Sequence, residues 1–315
     1  MPIRTSPVFL VSLVTLIPIA ALFIAGCAGV PPAPPPTEAS AMPELVGAFA
    51  EPLVRAEVAV ERGAVRSAFG CQIGYEYYDP APVEAASDFA GPRPLVVLAH
   101  GFMRSTATIR GWADAWASRG VRTVAVDFCN SGPFNGRHDR NAEDLVAVAH
   151  RLEPGDAPII YAGFSAGGLS ALLAAAADPR TVAYMGLDAV DSNGLAAQVD
   201  RLRAPALFLA GEPTSCNAYG NMLDTLPRAS RLVVLRIPGA SHCDFENPTT
   251  RFCTFLCGTG STTDAVSEIR ATIRALATAW VEAYAGVSPE SQAVFHRATI
   301  DSLAAGHRVI ILRSE

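Results

Sequence analysis

The chain of 315 residues is 50% hydrophobic and 17% charged, with a formal net charge of −6. That length buries a sizeable core in one large domain or two small ones, and the acidic balance excludes a general nucleic-acid binder, which needs clustered positive charge. All 24 basic residues are Arg, which excludes a Walker-type phosphate loop, a Schiff-base lysine and a Ser–Lys dyad.

The N-terminus reads as a processing segment. Arg4 gives a positive start, Val8 to Ile24 is an apolar run, and IAGC follows, ending at Cys27. A positive end, an apolar centre and small residues before a cut site describe a secretory signal. The small-small-Cys ending resembles the lipobox of bacterial lipoproteins. That resemblance implies cleavage before Cys27, a lipid on its thiol and a membrane as partner. Ala28 rather than Asp after the cysteine implies the outer membrane where the cell has one, or the cell surface. About 17 apolar residues also approach the lower limit of an uncleaved anchor, and plain secretion is the other alternative. VPPAPPPTEASAMPE follows, Pro-rich and poor in apolar residues, which predicts an extended tether. The expected organisation is a signal over 1–26, a tether over 27–52, a folded domain over 53–286 and a C-terminal extension over 287–315.

The domain alternates two kinds of segment. AEVAVERG and QIGYEYYD read as early strands, expected as an antiparallel pair. PLVVLAHG is a continuous apolar run, typical of a strand buried on both faces. TIRGWADAWASRG has helical spacing and a closing Gly. VRTVAVDF reads as strand and RNAEDLVAVAHRLE as helix, then PIIYAGF as strand and GLSALLAAAA as helix. TVAYMGLD, PALFLAGE and RLVVLRIPG are three more strands, and STTDAVSEIRATIRALATAWVEAYAG is a long amphipathic helix. This rhythm predicts a mostly parallel sheet covered by helices on both faces, an α/β architecture. The tail adds an expected helix (PESQAVFHRATIDSLAAG) and a strand (RVIILR).

Six cysteines follow Cys27: Cys71, Cys129, Cys216, Cys243, Cys253 and Cys257. In an exported chain an even set predicts disulfides. C-x3-C with one nearby His is a poor zinc pattern, so metal binding is the weaker reading. Six cysteines allow 15 pairings, and the sequence does not choose among them.

GFSAG, Gly163 to Gly167, fits G-x-S-x-G at a strand-to-helix junction. A serine on that sharp turn projects its hydroxyl above the sheet. The strained backbone needs small neighbours, which Gly163, Gly167 and Gly168 supply. The helix that starts there points its positive end at the site. The competing reading is a Gly-rich turn with Ser165 as a helix cap. A nucleophilic serine needs two oxyanion donors. The backbone N–H of Ala166 is one, and Phe102, in the HGF loop after PLVVLAHG, is the other. His100 precedes the nucleophile and reads as a structural residue holding that loop. The general base must come late in the chain. His242, in PGASHCDFE after RLVVLRI, fits better than His138, His150, His296 or His307. Three acids remain open: Asp188 directly after TVAYMGL, Asp191 three residues on, and Glu212 after the next strand. Asp244 is too near His242 in sequence to reach its far nitrogen.

The order Ser165, Asp188, His242, with LAHGF, GFSAGG, GLDAVD and PGASHCDF, resembles the α/β-hydrolase superfamily. Within it, residues 65–285 look most like the chlorophyllase and bacterial polyester-hydrolase (cutinase-like) group. GLDAVD is similar to the G-x-D-P-V segment of chlorophyllases, whose aspartate is the triad acid, which implies Asp188. Ala189 stands where that group has Pro, and Ala166 where it has Arg. Polyester hydrolases carry their Asp after the following strand, where this chain reads AGEPTSC. The resemblance therefore implies the α/β-hydrolase fold and an ester hydrolase working through an acyl-enzyme, without metal or organic cofactor, rather than a chlorophyll substrate. Only about 16 residues separate Asp188 from PALFLA, too few for a large helical cap. An open site walled by Phe102, Met103 and Phe164 suits an uncharged, small-molecule or polymeric ester with hydrophobic groups. Acyl transfer or amide cleavage by the same triad, and non-catalytic binding, are the alternative functions.

Overall fold

The alternating segments assemble into one nine-stranded sheet. The computed structural model describes residues 55–81, 92–258, 262–288 and 290–315. The expected signal over 1–26, Cys27 and the tether to residue 52 lie outside the described residues. All described residues belong to one compact unit. Among them no helix is long and apolar enough to cross a membrane.

Strands β1 (Val58–Arg66) and β2 (Gln72–Pro80) form the expected antiparallel pair. The strands β3 (Leu95–Ala99), β4 (Thr123–Asp127), β5 (Ile159–Phe164), β6 (Thr181–Leu187), β7 (Ala206–Ala210) and β8 (Leu232–Arg236) run parallel. The order across the sheet is β1-β2-β4-β3-β5-β6-β7-β8, closed by an antiparallel strand β9 (Ile310–Ser314). Parallel strands are covered on both faces, which is why LVVLA and IIYAGF are apolar throughout and buried at every position.

Successive side chains point to opposite faces, so each strand feeds two cores. In β3, Val96 and Leu98 enter one core, while Leu95, Val97 and Ala99 enter the other. The first core is closed by α1 (Arg110–Ala117), through Trp112 and Trp116. The second is closed by α2 (His138–Leu152), through Leu145 and Val148, and by α3 (Ala166–Ala177), through Leu169 and Leu172. A short helix α4 (Arg251–Cys257) follows β8. A long one, α5 (Thr263–Ala285), adds Ile273, Leu276 and Trp280 to the first core. The Thr262 side chain caps its start, accepting from the Ala265 N–H, and Gly286 in the left-handed region (φ 71°) ends it.

The segment expected as a C-terminal extension is part of this body. Helix α6 (Arg297–Ala305) sends Ile300 and Leu303 into the first core, Phe295 meets Trp280 edge-to-face at 4.9 Å, and β9 pairs with β8. Its apolar residues are spent on the sheet edge and the helix layer. Between β6 and β7 the described residues form only a single 3-10 turn (Ala196–Gln198) and a two-residue ladder strand (Arg201–Leu202), so no helical cap is inserted in that connection.

The six cysteines pair as Cys71–Cys129, Cys216–Cys257 and Cys243–Cys253, with Cα separations of 6.4, 5.9 and 5.7 Å. These fall within the range a disulfide spans.

Candidate active site

One residue, Ser165, separates β5 from α3. Its backbone has φ 56° and ψ −129°, a region that costs a side chain about 1–3 kcal/mol. Neighbouring strands hold the turn. The Ser165 N–H donates to Leu187 O at 3.0 Å, and its carbonyl accepts from Gly168 at 2.9 Å and Val190 at 3.1 Å. Close approach explains the flanking glycines. A Cβ on Gly163 would land on the Gly167 carbonyl, and one on Gly167 would land on that of His100.

His242 opens a short 3-10 turn after β8. Its Nε2 lies 3.0 Å from Ser165 Oγ and its Nδ1 lies 2.6 Å from Asp188 Oδ2. The carboxylate accepts from Nδ1–H, which leaves Nε2 as the acceptor facing the serine hydroxyl. The imidazole rests on the Phe164 ring at 4.7 Å. Phe164 is only 1% exposed, so it supports the base from below and is not the open wall the sequence suggested. Asp244 shapes the loop. Its Oδ2 accepts from Ser241 N and Oγ, and its Oδ1 from Arg270 Nε at 2.8 Å.

Of the three candidate acids, the structure brings only Asp188 to the base. It is buried immediately after β6, with φ 43°, and its own N–H donates to Leu209 O at 2.7 Å. Gly211 N–H donates to Oδ1 at 2.9 Å, and Asn217 Nδ2 reaches both carboxylate oxygens at 3.3 and 3.2 Å. Glu212 instead accepts from Gly239 N–H at 3.0 Å, and Asp191 from Ala196 N–H at 3.0 Å. Both serve loop backbone. Asn217 escaped the sequence reading. It is a buried polar residue inside a kinked 3-10 segment, Ser215–Thr225, that has no apolar period.

The HGF loop lies beside the serine. A Cβ on Gly101 would stand 3.1 Å from that of Ser165. The Met103 N–H donates to Ser131 O at 2.8 Å, whereas the Phe102 and Ala166 N–H groups have no acceptor among the described residues. These are the two donors expected for an oxyanion. Phe102 and Met103 are 38% and 55% exposed, so both present apolar surface at the rim. His100 holds the loop from beneath, donating from Nδ1 to Gly101 O (2.8 Å) and accepting at Nε2 from Phe128 N–H (3.1 Å). Of the other histidines, His138 opens α2, His150 lies within it, and His296 and His307 flank α6.

Burial holds His100 below its ordinary value of 6.5. A histidine neutral in the fold and charged once unfolded leaves full stability above about pH 6.5. That stability is lost as the pH falls further, by at most about 1.4 kcal/mol per unit. His100→Gln is therefore expected to flatten the decline between pH 7 and pH 5 in urea denaturation; parallel declines would contradict this.

An ion pair joins the HGF loop to the loop that carries His242. Arg104, just past the HGF stretch, meets Glu246, four residues after His242, at 2.5 Å, and the Glu246 side chain is fully buried. Arg104→Leu strands that carboxylate and should cost about 3 kcal/mol, read as a lower urea midpoint at unchanged slope. A stability within about 0.5 kcal/mol of wild type, the usual size of a surface effect, would show the pair to be dispensable.

No family model matches the chain, and no curated protein matches it.

Proposed function

We propose that this chain is a serine hydrolase of the α/β-hydrolase fold that cleaves uncharged carboxylic esters bearing hydrophobic groups. The observation that carries the reading is the continuous relay from Ser165 Oγ through His242 to Asp188, at 3.0 and 2.6 Å. The serine follows β5, the acid β6 and the base β8, which is the chain order Ser, Asp, His of that fold. The similarity to chlorophyllases and bacterial polyester hydrolases belongs to the same proposal, as do export, the Cys27 lipid and residence at a membrane.

Ser165 attacks the ester carbonyl while His242 Nε2 takes its proton. Asp188 fixes the tautomer and stabilises the imidazolium. The Phe102 and Ala166 N–H groups receive the oxyanion, each donor worth about 3–4 kcal/mol of the barrier. His242 then returns the proton to the departing alcohol, leaving an acyl-Ser165 that water hydrolyses by the same steps in reverse. The missing cap and the exposed Phe102 and Met103 favour an open, apolar entry over a pocket for a charged group.

Turnover of p-nitrophenyl esters of rising acyl length, run beside anilides and added alcohol acceptors, tests this. Ester hydrolysis that exceeds amide cleavage and transfer to alcohol is the expected result. A preference for the anilide or the acceptor would reassign the reaction, and inertness toward all three would leave a binding protein.

A further inference from the structure

Helix α4 is seven residues long and buries only Cys253, while Phe252, Phe255 and Leu256 stand exposed. So short a helix has little stability of its own. What attaches it is covalent. Its two cysteines are four residues apart, hence on one face, and each is bonded to a neighbour of a catalytic group. Cys253 joins Cys243, the residue after His242. Cys257 joins Cys216, the residue before Asn217, which donates to both oxygens of Asp188. The sulfurs of Cys243, Cys253 and Cys257 lie within 4.8 Å of one another. The path from Asp188 to His242, through Cys243–Cys253 and α4 to Cys257–Cys216, and back by Asn217 to Asp188 is a closed ring. The third disulfide, Cys71–Cys129, lies outside it.

We propose that α4 is a positioning clamp: its two disulfides hold the base loop and the Asn217 segment in register, so that the relay forms only when both are oxidised. This rests on the hydrolase reading for its kinetic consequence. His242 and Asp188 sit on separate loops after β8 and β6, and the ring removes the freedom of those loops to drift apart. A displacement near 1 Å at a reacting group is enough to cost about 100-fold in rate.

The test compares oxidised full-length wild type with C243S/C253S, C216S/C257S and C71S/C129S, each shown to be folded by circular dichroism. Two readouts are taken: kcat and KM on a small p-nitrophenyl ester, and the far-downfield proton resonance of the Nδ1–H shared by His242 and Asp188. C243S/C253S should lose about 100-fold in kcat with KM little changed, and should lose the resonance. C216S/C257S should likewise lose about 100-fold in kcat and the resonance, and C71S/C129S should match wild type. A purely stabilising disulfide would lower the melting temperature and leave kcat and the resonance intact, and that outcome overturns the clamp.

Should the variants not fold, graded reduction of the wild type decides. Cys216–Cys257 is half-buried, whereas Cys243 and Cys253 are 1% and 0% exposed. Cys71–Cys129 is half-buried too, but it lies outside the ring. A dithiol therefore opens Cys216–Cys257 before Cys243–Cys253, delivering two electrons and two protons and becoming a disulfide itself. Activity should fall with that step, mapped by mass, while the circular dichroism stays native; undiminished kcat and resonance after it would overturn the clamp. If wild type neither hydrolyses esters nor reacts with a fluorophosphonate, the hydrolase reading fails. The resonance, kept in wild type and lost on opening the ring, still decides the clamp.

Discussion

Ser165→Ala should lower ester turnover by about 10⁶-fold, with far-UV circular dichroism unchanged. The size of the loss follows from the site. Nothing else within the relay offers a nucleophile: His242 Nε2 faces only the serine oxygen, and Asp188 is enclosed by Gly211, Asn217 and His242. What survives is the contribution of the two unoccupied N–H groups to a water attack, a residual of about 10³–10⁴ over solution. Alanine also relieves little of the strain, because φ 56° disfavours any side chain there. Stability should thus change slightly while chemistry collapses. Turnover within tenfold of wild type would place the nucleophile elsewhere.

Asp188→Asn should lower kcat by about 10⁴-fold with little change in KM. The side chain keeps its shape, so its oxygen still takes the Gly211 N–H. Its amide then faces His242 Nδ1 and donates to it. That reverses the tautomer: Nε2 now carries the proton and has no lone pair for the Ser165 hydroxyl. Glu212→Gln is the matched control. Its amide oxygen can still accept from Gly239 N–H, the only hydrogen bond the Glu212 carboxylate makes among the described residues, so kcat should remain within about threefold, the scatter of a surface substitution. Steady-state kinetics on both variants checks this; the opposite ranking would move the acid to the loop after β7.

Sequence exposed what is local and periodic. Apolar runs such as LVVLA and IIYAGF are strands because burial on both faces demands it, and a serine between glycines at the end of one is a turn that only small neighbours permit. The histidine was legible because one candidate alone followed a late strand. The acid was not separable on residues alone, since Asp188, Asp191 and Glu212 all stand near carboxyl ends of adjacent strands. What separates them is three-dimensional: the φ of 43° at Asp188 and the Gly211 and Asn217 donors converging on it. Asn217 and α4 left no trace because a kinked 3-10 stretch and seven residues of RFCTFLC are too short and irregular for a period to emerge. Pairing of the cysteines depends on loops meeting across 58, 41 and 10 residues, and the role of β9 on an antiparallel partner, β8, far back in the chain.

Peptide mapping of the oxidised full-length chain after reaction with a fluorophosphonate tests the central claim most directly. The expected result is one adduct per chain, carried by Ser165 and abolished in His242→Ala. An unmodified chain, or an adduct on another residue with Ser165 untouched, would contradict it.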